Sequence, residues 1–309
     1  MKMALNLTFI KGCVYKLYYA VLYAYNTPKR KKLKIMSCRE SIEYILEHKC
    51  SVSRYGDGEI RQMKPLLNAE SKEHFNIGFQ SYDERMARRL IDVFRDNIPN
   101  HMVGIPGAMF GSGLSKYKPS ARRFWKYISN FNIDVILEVA KSDTLYLDSL
   151  FTRFYIDYQD KTHLPSYSEL LKRLWEGRHV LIVEGAQTRI GCGNDLLDGA
   201  VSVKRIICPS TNAFDKIDEI EAAINKWAEE DTLVLLALGP TATVIAADMA
   251  RIGKQALDIG HIDIEYEWMR LGVDDKVAIE GKYVNEVAGG RSVHESSDDK
   301  YQSQVLGII

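Results

Sequence analysis

The stretch Ser53-Arg54-Tyr55-Gly56-Asp57-Gly58-Glu59 places two carboxylates two residues apart, with glycine on both sides of the first. In an extended segment, side chains at i and i+2 project to the same face. Asp57 and Glu59 can then meet a single hard cation, Mg2+ or Mn2+, which prefers oxygen ligands and often shares them with substrate phosphates. Gly56 and Gly58 let the backbone bend and approach a phosphate. Arg54 supplies a second positive group. A departing nucleoside diphosphate gains negative charge, and a cation beside it stabilises that charge. The same residues also fit a solvated Gly-Asp-Gly turn.

Other chemistry-bearing residues follow apolar runs. In EGAQTRIGCGND, Gly185, Gly191 and Gly193 permit close backbone approach to a ligand, and Arg189 can pair with phosphate. Asn194 and Asp195 can cap a following helix. The spacing is not Gly-x-Gly-x-x-Gly, so a dinucleotide fingerprint is absent. In LGPTATV, Gly239, Thr241 and Thr243 stand where a strand feeds a helix. Free N–H groups there favour an anion, although threonine capping uses the same groups. In CPSTNAF, Ser210, Thr211 and Asn212 can hold a base or ribose, or cap the helix through Phe214.

GHIDIEYEW carries His261, Asp263, Glu265 and Glu267 after a strand, a position suited to acid–base work or acceptor binding. If helical, His261 and Glu265 share a face. Arg153 ends another apolar run, where it can clamp a diphosphate or sugar hydroxyl, or pair with Asp157 or Asp160 at the surface. His-Glu-x-x-His is absent, which removes the zincin reading.

The elements that position these residues are legible as periodicity. Ser37 and Glu40 form a capping box before a helix with Ile42, Ile45 and Leu46 on one face. CSVSR, MVGIPG and TLYLDSLFTR read as strands. Residues 82 to 96 and 120 to 131 read as helices, and SYSELLKRLWEG as one with a Ser start and a Gly stop. From His179, the runs HVLIV, VKRIIC, TLVLLAL and QALDIG alternate with helices over 214 to 228 and over GPTATVIAADMARIG. Strands alternating with helices predict a parallel, doubly wound α/β sheet, with ligands beyond the carboxyl ends of its strands.

The 309 residues are 46% hydrophobic, enough for a sizeable core. Lys+Arg and Asp+Glu both number 41, so no global field favours nucleic acid. Five scattered cysteines without a Cys-x-x-Cys pair argue against a zinc site or a disulfide framework, and for free thiols in a reducing cytoplasm. Residues 5 to 25 are apolar and tyrosine-rich but interrupted by Lys11 and Lys16, and TPKRKKLK follows. The longest uncharged run, Leu17 to Pro28, is too short to span a bilayer, which takes about 20 residues. Residues 1–36 therefore read as an amphipathic segment for an anionic membrane face, the protein's own domain or a second subunit. On the membrane reading, the body lies on the cytoplasmic side.

Taken in order, SRYGDGE, SLFTRFYIDYQDK, VEGAQTRIGCGNDLL, KRIICPSTNAFDKIDEI, LALGPTATVIAADMA and QALDIGHIDIEYEW make the chain resemble the GT-D type glycosyltransferases of bacterial glycosylation and surface-polysaccharide loci. The resemblance covers about residues 37–289. It leaves an N-terminal segment, 1–36, and a polar tail, 290–309. It implies a Rossmann-like, mostly parallel sheet, a nucleotide-sugar donor (usually a UDP-sugar) and a divalent metal, Mn2+ or Mg2+, at Asp57 and Glu59. On this reading Asp57, Glu59, Arg153, His261 and Asp263 form the catalytic set. Arg54, Gly56, Gly185, Arg189, Gly191, Asn194, Ser210, Asn212, Gly239 and Thr241 hold the nucleotide sugar. The family often has Phe where this chain has Tyr55. It commonly has Pro after the Thr-Arg pair, where this chain has Phe154, so sugar and acceptor preference do not carry over.

The expected reaction is hexosyl transfer to a lipid-linked or protein-linked glycan, with inversion and retention both open. Two other classes share the pattern, because fold does not fix function. One is another Rossmann-type enzyme, an oxidoreductase or methyltransferase, which has no need of the Asp57–Glu59 pair. The other is a non-catalytic nucleotide-binding scaffold of a polysaccharide assembly.

Overall fold

A computed structural model describes residues 2–67, 76–291, 293 and 298–309, and the side chains among these from residue 14 onward. The strands are β1 (Lys34–Ile35), β2 (Ser51–Arg54), β3 (His101–Ile105), β4 (Leu145–Asp148), β5 (His179–Gly185), β6 (Ser202–Cys208), β7 (Leu233–Ala237), β8 (Ala256–Asp258) and β9 (Val305–Ile308). The helices are α1 (Lys2–Tyr25), α2 (Thr27–Arg30), α3 (Cys38–His48), α4 (Asp57–Leu67), α5 (Glu84–Arg95), α6 (Pro119–Val139), α7 (Leu164–Lys172), α8 (Ile217–Trp227), α9 (Pro240–Arg251), α10 (Ile262–Leu271) and α11 (Asp299–Gln304).

The strands form one sheet in the order β1-β4-β3-β2-β8-β7-β5-β6-β9, and every pairing is parallel. Parallel strands covered on both faces read as continuous apolar runs, and Leu233 to Leu236 of β7 are fully buried. From β2 the chain steps outward through β3 and β4. From β5 it steps the other way to β6, then returns through β7 and β8 to lie against β2. The direction reverses between β2 and β8. A crevice opens at the carboxyl ends where such a reversal occurs.

Local chemistry explains the boundaries. Ser37 and Glu40 do form the capping box of α3. The expected long strand through Arg153 stops at Asp148. Its carboxylate accepts Leu150 N at 3.1 Å and Gly107 N at 3.0 Å, turning Ser149–Thr152 into a 3-10 helix. The helix α7 begins at Leu164, before the expected Ser start. Both expected outer segments join the fold. β1 lies within residues 1–36 and pairs with β4, while α11 and β9 extend the tail along β6. No helix among the described residues is long and apolar enough to cross a membrane. Cys38, Cys50, Cys192 and Cys208 are free thiols.

Candidate active site

A cavity of about 870 Å3 opens at the carboxyl ends of β2, β4, β5, β7 and β8. Of the residues singled out from sequence, Arg54, Gly56, Asp57, Glu59, Arg153, Gly185, Ser210, Gly239, His261 and Asp263 line it. Arg189, Gly191, Asn194, Asn212 and Thr241 do not.

The acidic pair differs from expectation. Asp57 and Glu59 lie in the first turn of α4, not in an extended segment, so the same-face argument fails. Glu59 turns back, and its Oε2 accepts from Gly56 N at 2.7 Å. That is the Glu half of a capping box with glycine at the cap. Asp57 stays 41% exposed beside Arg61 at 3.4 Å. Burial, then the negative fields of Asp258 and Asp57, push the Glu59 carboxyl up to about 7, while its bonds to backbone N–H groups oppose the rise.

Arg54 is held by the protein on most of its donors. Its guanidinium reaches Asp258 O at 2.7 Å, Asp258 Oδ1 at 3.0 Å, Thr152 Oγ1 at 2.6 Å and Ser149 O at 3.1 Å. It ties β2 to β8 and to the end of β4. The backbone of Gly260, at φ +47, lies where a side chain would collide with that guanidinium. Arg153 pairs with neither Asp157 nor Asp160. It grips Glu286 through two nitrogens at 2.6 and 3.2 Å and approaches Glu265 at 3.5 Å. Glu265 itself accepts Tyr155 N and Ile156 N at 2.8 and 2.9 Å. It therefore anchors the Phe154 loop and does not face His261 as a helical pair.

His261 precedes α10, and its Nε2 lies 3.2 Å from Asn285 Oδ1. Burial first, then the charge of Arg153, lower its pKa to about 4. A ring that stays neutral near pH 7 suits hydrogen bonding, and its low basicity makes it a weak general base. Asp263 is internally satisfied. Its Oδ1 accepts Gly191 N and Asn194 Nδ2, and its Oδ2 takes Lys282 Nζ at 2.7 Å.

The residues outside the cleft have physical reasons to be there. Arg189 adopts φ +52 and donates to Gly281 O at 2.9 Å. Asn194 and Asp195 cap no helix, because residues 190–200 form turns. Asp195 takes Lys172 and the Tyr266 hydroxyl, each at 2.8 Å. Asn212 caps nothing with its side chain, and its Oδ1 accepts Ser81 N at 2.8 Å. Thr241 is fully buried in α9.

Sequence reasoning passed over several lining residues. Asp258 is an acid closing an apolar strand, a signal that was available. Phe79, Gln80, Lys276, Tyr283, Asn285 and Glu286 come from loops with no local motif.

The sequence profile of the glycosyltransferase GT-D fold matches residues 52–287, most of the chain and all of the cleft's principal strands. The chain belongs to the GT-D glycosyltransferase family. This GT-D chain is 36% identical over 282 residues to the probable glycosyl transferase Gly of Streptococcus gordonii, covering 91% of itself and 40% of that protein. It is 37% identical over 278 residues to the glycosyltransferase GlyD of Streptococcus pneumoniae serotype 4, covering 90% of itself and 33% of that protein. It thus spans less than half the length of these curated relatives. A solved structure described as a highly conserved domain of unknown function with a distinct glycosyltransferase fold superposes with a TM-score of 0.83 at 36% identity, over 93% of this chain and 99% of that one. A second, described as a new glycosyltransferase from Streptococcus sanguinis, gives 0.79 at 36% identity, over 90% and 99%.

Proposed function

We propose that this GT-D chain moves a hexose from a nucleotide-sugar donor, a UDP-sugar, to a saccharide acceptor in surface-polysaccharide or glycoprotein glycan assembly. The observation that carries the reading is the composition of the cleft at the β2/β8 reversal. Asp57 and Glu59 stand on its wall together with the bare turn at Gly239, which starts α9 without a side-chain cap. A helix start of that kind receives a diphosphate.

We also propose a divalent cation, Mn2+ or Mg2+, at Asp57. Among the described residues no three His, Cys, Asp or Glu gather to form a metal cage. The residues present fit a different arrangement, in which one or two carboxylates hold the ion and substrate phosphates complete its shell. Asp57, half-exposed on the cleft wall, is the principal donor, and Glu59 is the second. The ion would supply charge stabilisation for the departing diphosphate. The chain's own groups orient the reactants. Arg54 and Asp258 fix the cleft floor, Arg153 holds the 274–287 loop through Glu286, and neutral His261 offers a hydrogen bond.

The test is release of UDP from a panel of UDP-sugars with manganese, magnesium or chelator, comparing wild type with Asp57→Ala and Glu59→Ala. Metal-dependent release from one donor, lost in Asp57→Ala while the fold survives, supports the reading and names the sugar. Nucleotide binding without turnover on any acceptor would turn it into the scaffold reading. No nucleotide binding under any metal condition would overturn it.

A further inference from the structure

The helix α1 presents two faces. Tyr19 packs its ring edge-on against Tyr127 and Phe131 of α6, at 5.7 and 5.8 Å, and its carbonyl accepts Asn130 Nδ2 at 3.1 Å. Arg30 of α2 lies over the Tyr23 ring at 3.6 Å, and Lys29 pairs with Asp134 of α6 at 2.7 Å. These contacts seat the inner face. The outer face repeats at helical spacing through Val14, Leu17, Tyr18, Val21 and Tyr25, which are between 56% and 73% exposed. On α6, Phe124, Tyr127 and Phe131 continue the apolar surface at 43, 49 and 38% exposure. Tyr18 meets Tyr19, Tyr19 meets Tyr127 and Phe131, and Phe124 on the same helix lines the cleft, so exposed rings stand between α1 and the cleft's mouth.

Charge is distributed to match one occupant. Residues 1–36 hold eight Lys or Arg and no Asp or Glu, in a chain whose net charge is zero. Lys16, Lys31, Lys32 and Lys34 are exposed, and so are Arg123 and Lys126 on either side of Phe124. Large apolar side chains grouped on an exposed face mark an interaction surface. Aromatic and aliphatic side chains bordered by lysine suit the boundary between acyl chains and headgroups. An anionic leaflet attracts such a basic margin within about a Debye length, ~8 Å at physiological salt. A protein partner or a second copy would need an acidic rim to meet this charge. A second copy brings the same basic margin, which repels.

We propose that the α1–α6 face docks on an anionic lipid surface, holding the cleft mouth, through Phe124, at the level of the headgroups. The docking does not rest on the donor or metal assigned above, so it stands or falls by itself.

The experiment is co-sedimentation of the whole chain with vesicles of phosphatidylcholine alone and of phosphatidylcholine mixed with phosphatidylglycerol, at low and high salt. Two variants separate the contributions. Leu17→Ser with Tyr18→Ser removes the apolar stripe, and Lys31→Glu with Lys32→Glu and Lys34→Glu reverses the margin. All five positions are exposed or at the surface, where substitutions leave stability nearly unchanged. Expected is binding to the phosphatidylglycerol vesicles that weakens with salt and falls about tenfold or more in each variant. Three results would overturn the inference. One is wild type that stays in the supernatant. Another is binding that neither variant alters. The third is a dimer in lipid-free solution that Leu17→Ser with Tyr18→Ser dissociates, which would assign the face to a second copy.

Discussion

Glu59 Oε2 sits 2.7 Å from Gly56 N, so the second carboxylate of the acidic motif closes the first turn of its own helix. Asp57, two residues earlier, leans instead toward Arg61. The two carboxylates therefore have unequal duties. Asp57 is the half-exposed carboxylate, and Glu59 is both a cap and a buried carboxyl whose ionisation the neighbouring Asp258 opposes. Glu59→Gln keeps an oxygen for Gly56 N and removes the charge, whereas Glu59→Ala removes both. The loss of a cap costs about 1 kcal/mol. Thermal melts should show Glu59→Ala below Glu59→Gln by an amount of that size. Equal stability of the two variants would show that the Gly56 bond contributes nothing.

Gly239 has φ +56, and a side chain there would run into the Phe79 ring. Two independent constraints thus require glycine at the start of α9. Gly239→Ala should push Phe79 away and disturb the backbone that borders the cleft. Nucleotide affinity, read by calorimetry with UDP, should fall about tenfold, or roughly 1.4 kcal/mol. Unchanged affinity would place the nucleotide away from this turn.

The order of strands and helices was legible because apolar runs such as Leu233 to Leu236 alternate with amphipathic helices such as α5. The α3 capping box was legible because both its residues are local. The acidic motif was misread in shape. Glycine is tolerated at a cap and Glu59 stands three residues after Gly56, where the Glu half of a capping box falls, so a helix beginning at Asp57 was open to the sequence. The residues expected to hold a nucleotide sugar were misplaced because their partners lie far off in sequence. Arg189 and Asn194 looked free in a glycine-rich loop, yet Gly281 and Asp263 hold them from far along the chain. The same is true of Arg153, whose partner Glu286 lies 133 residues away, beyond the reach of any local pattern.

Arg153 and Glu286 define how the 274–287 loop is fastened. Burial opposes ionisation of Glu286, but the charge and hydrogen bonds of Arg153 hold its carboxyl well below the usual range. Lys276 adds a second cation. Both side chains of the Arg153–Glu286 pair are about four-fifths covered. Removing one partner leaves the other poorly solvated, a loss of about 1–3 kcal/mol for a pair that keeps some access to water. Glu286→Ala should therefore speed amide exchange across residues 274–287 and raise KM for the donor more than it lowers kcat. Exchange confined to the neighbourhood of Arg153, with the loop unaffected, would show that other contacts fasten it.

His101, at the start of β3, donates or accepts through Nε2 with Ser53 Oγ at 2.8 Å. Because Ser53 Oγ already donates to Thr243 O at 2.6 Å, the ring must be the donor to Ser53. Burial, then the charge of Arg251, lower its pKa from 6.5 to about 4. The unfolded chain thus binds a proton between those values that the folded chain refuses. Stability from this group is complete above pH 6.5 and is lost as pH falls toward 4. Its size is about 1–2 kcal/mol, allowing for the ring's partial contact with water. Denaturant melts of wild type and His101→Gln from pH 7.5 to 4 (about three and a half pH units across the titration) should converge on acidification, because only the wild type carries this loss. Curves that run parallel would mean that His101 titrates alike in both states and that its bond to Ser53 leaves the proton free to bind.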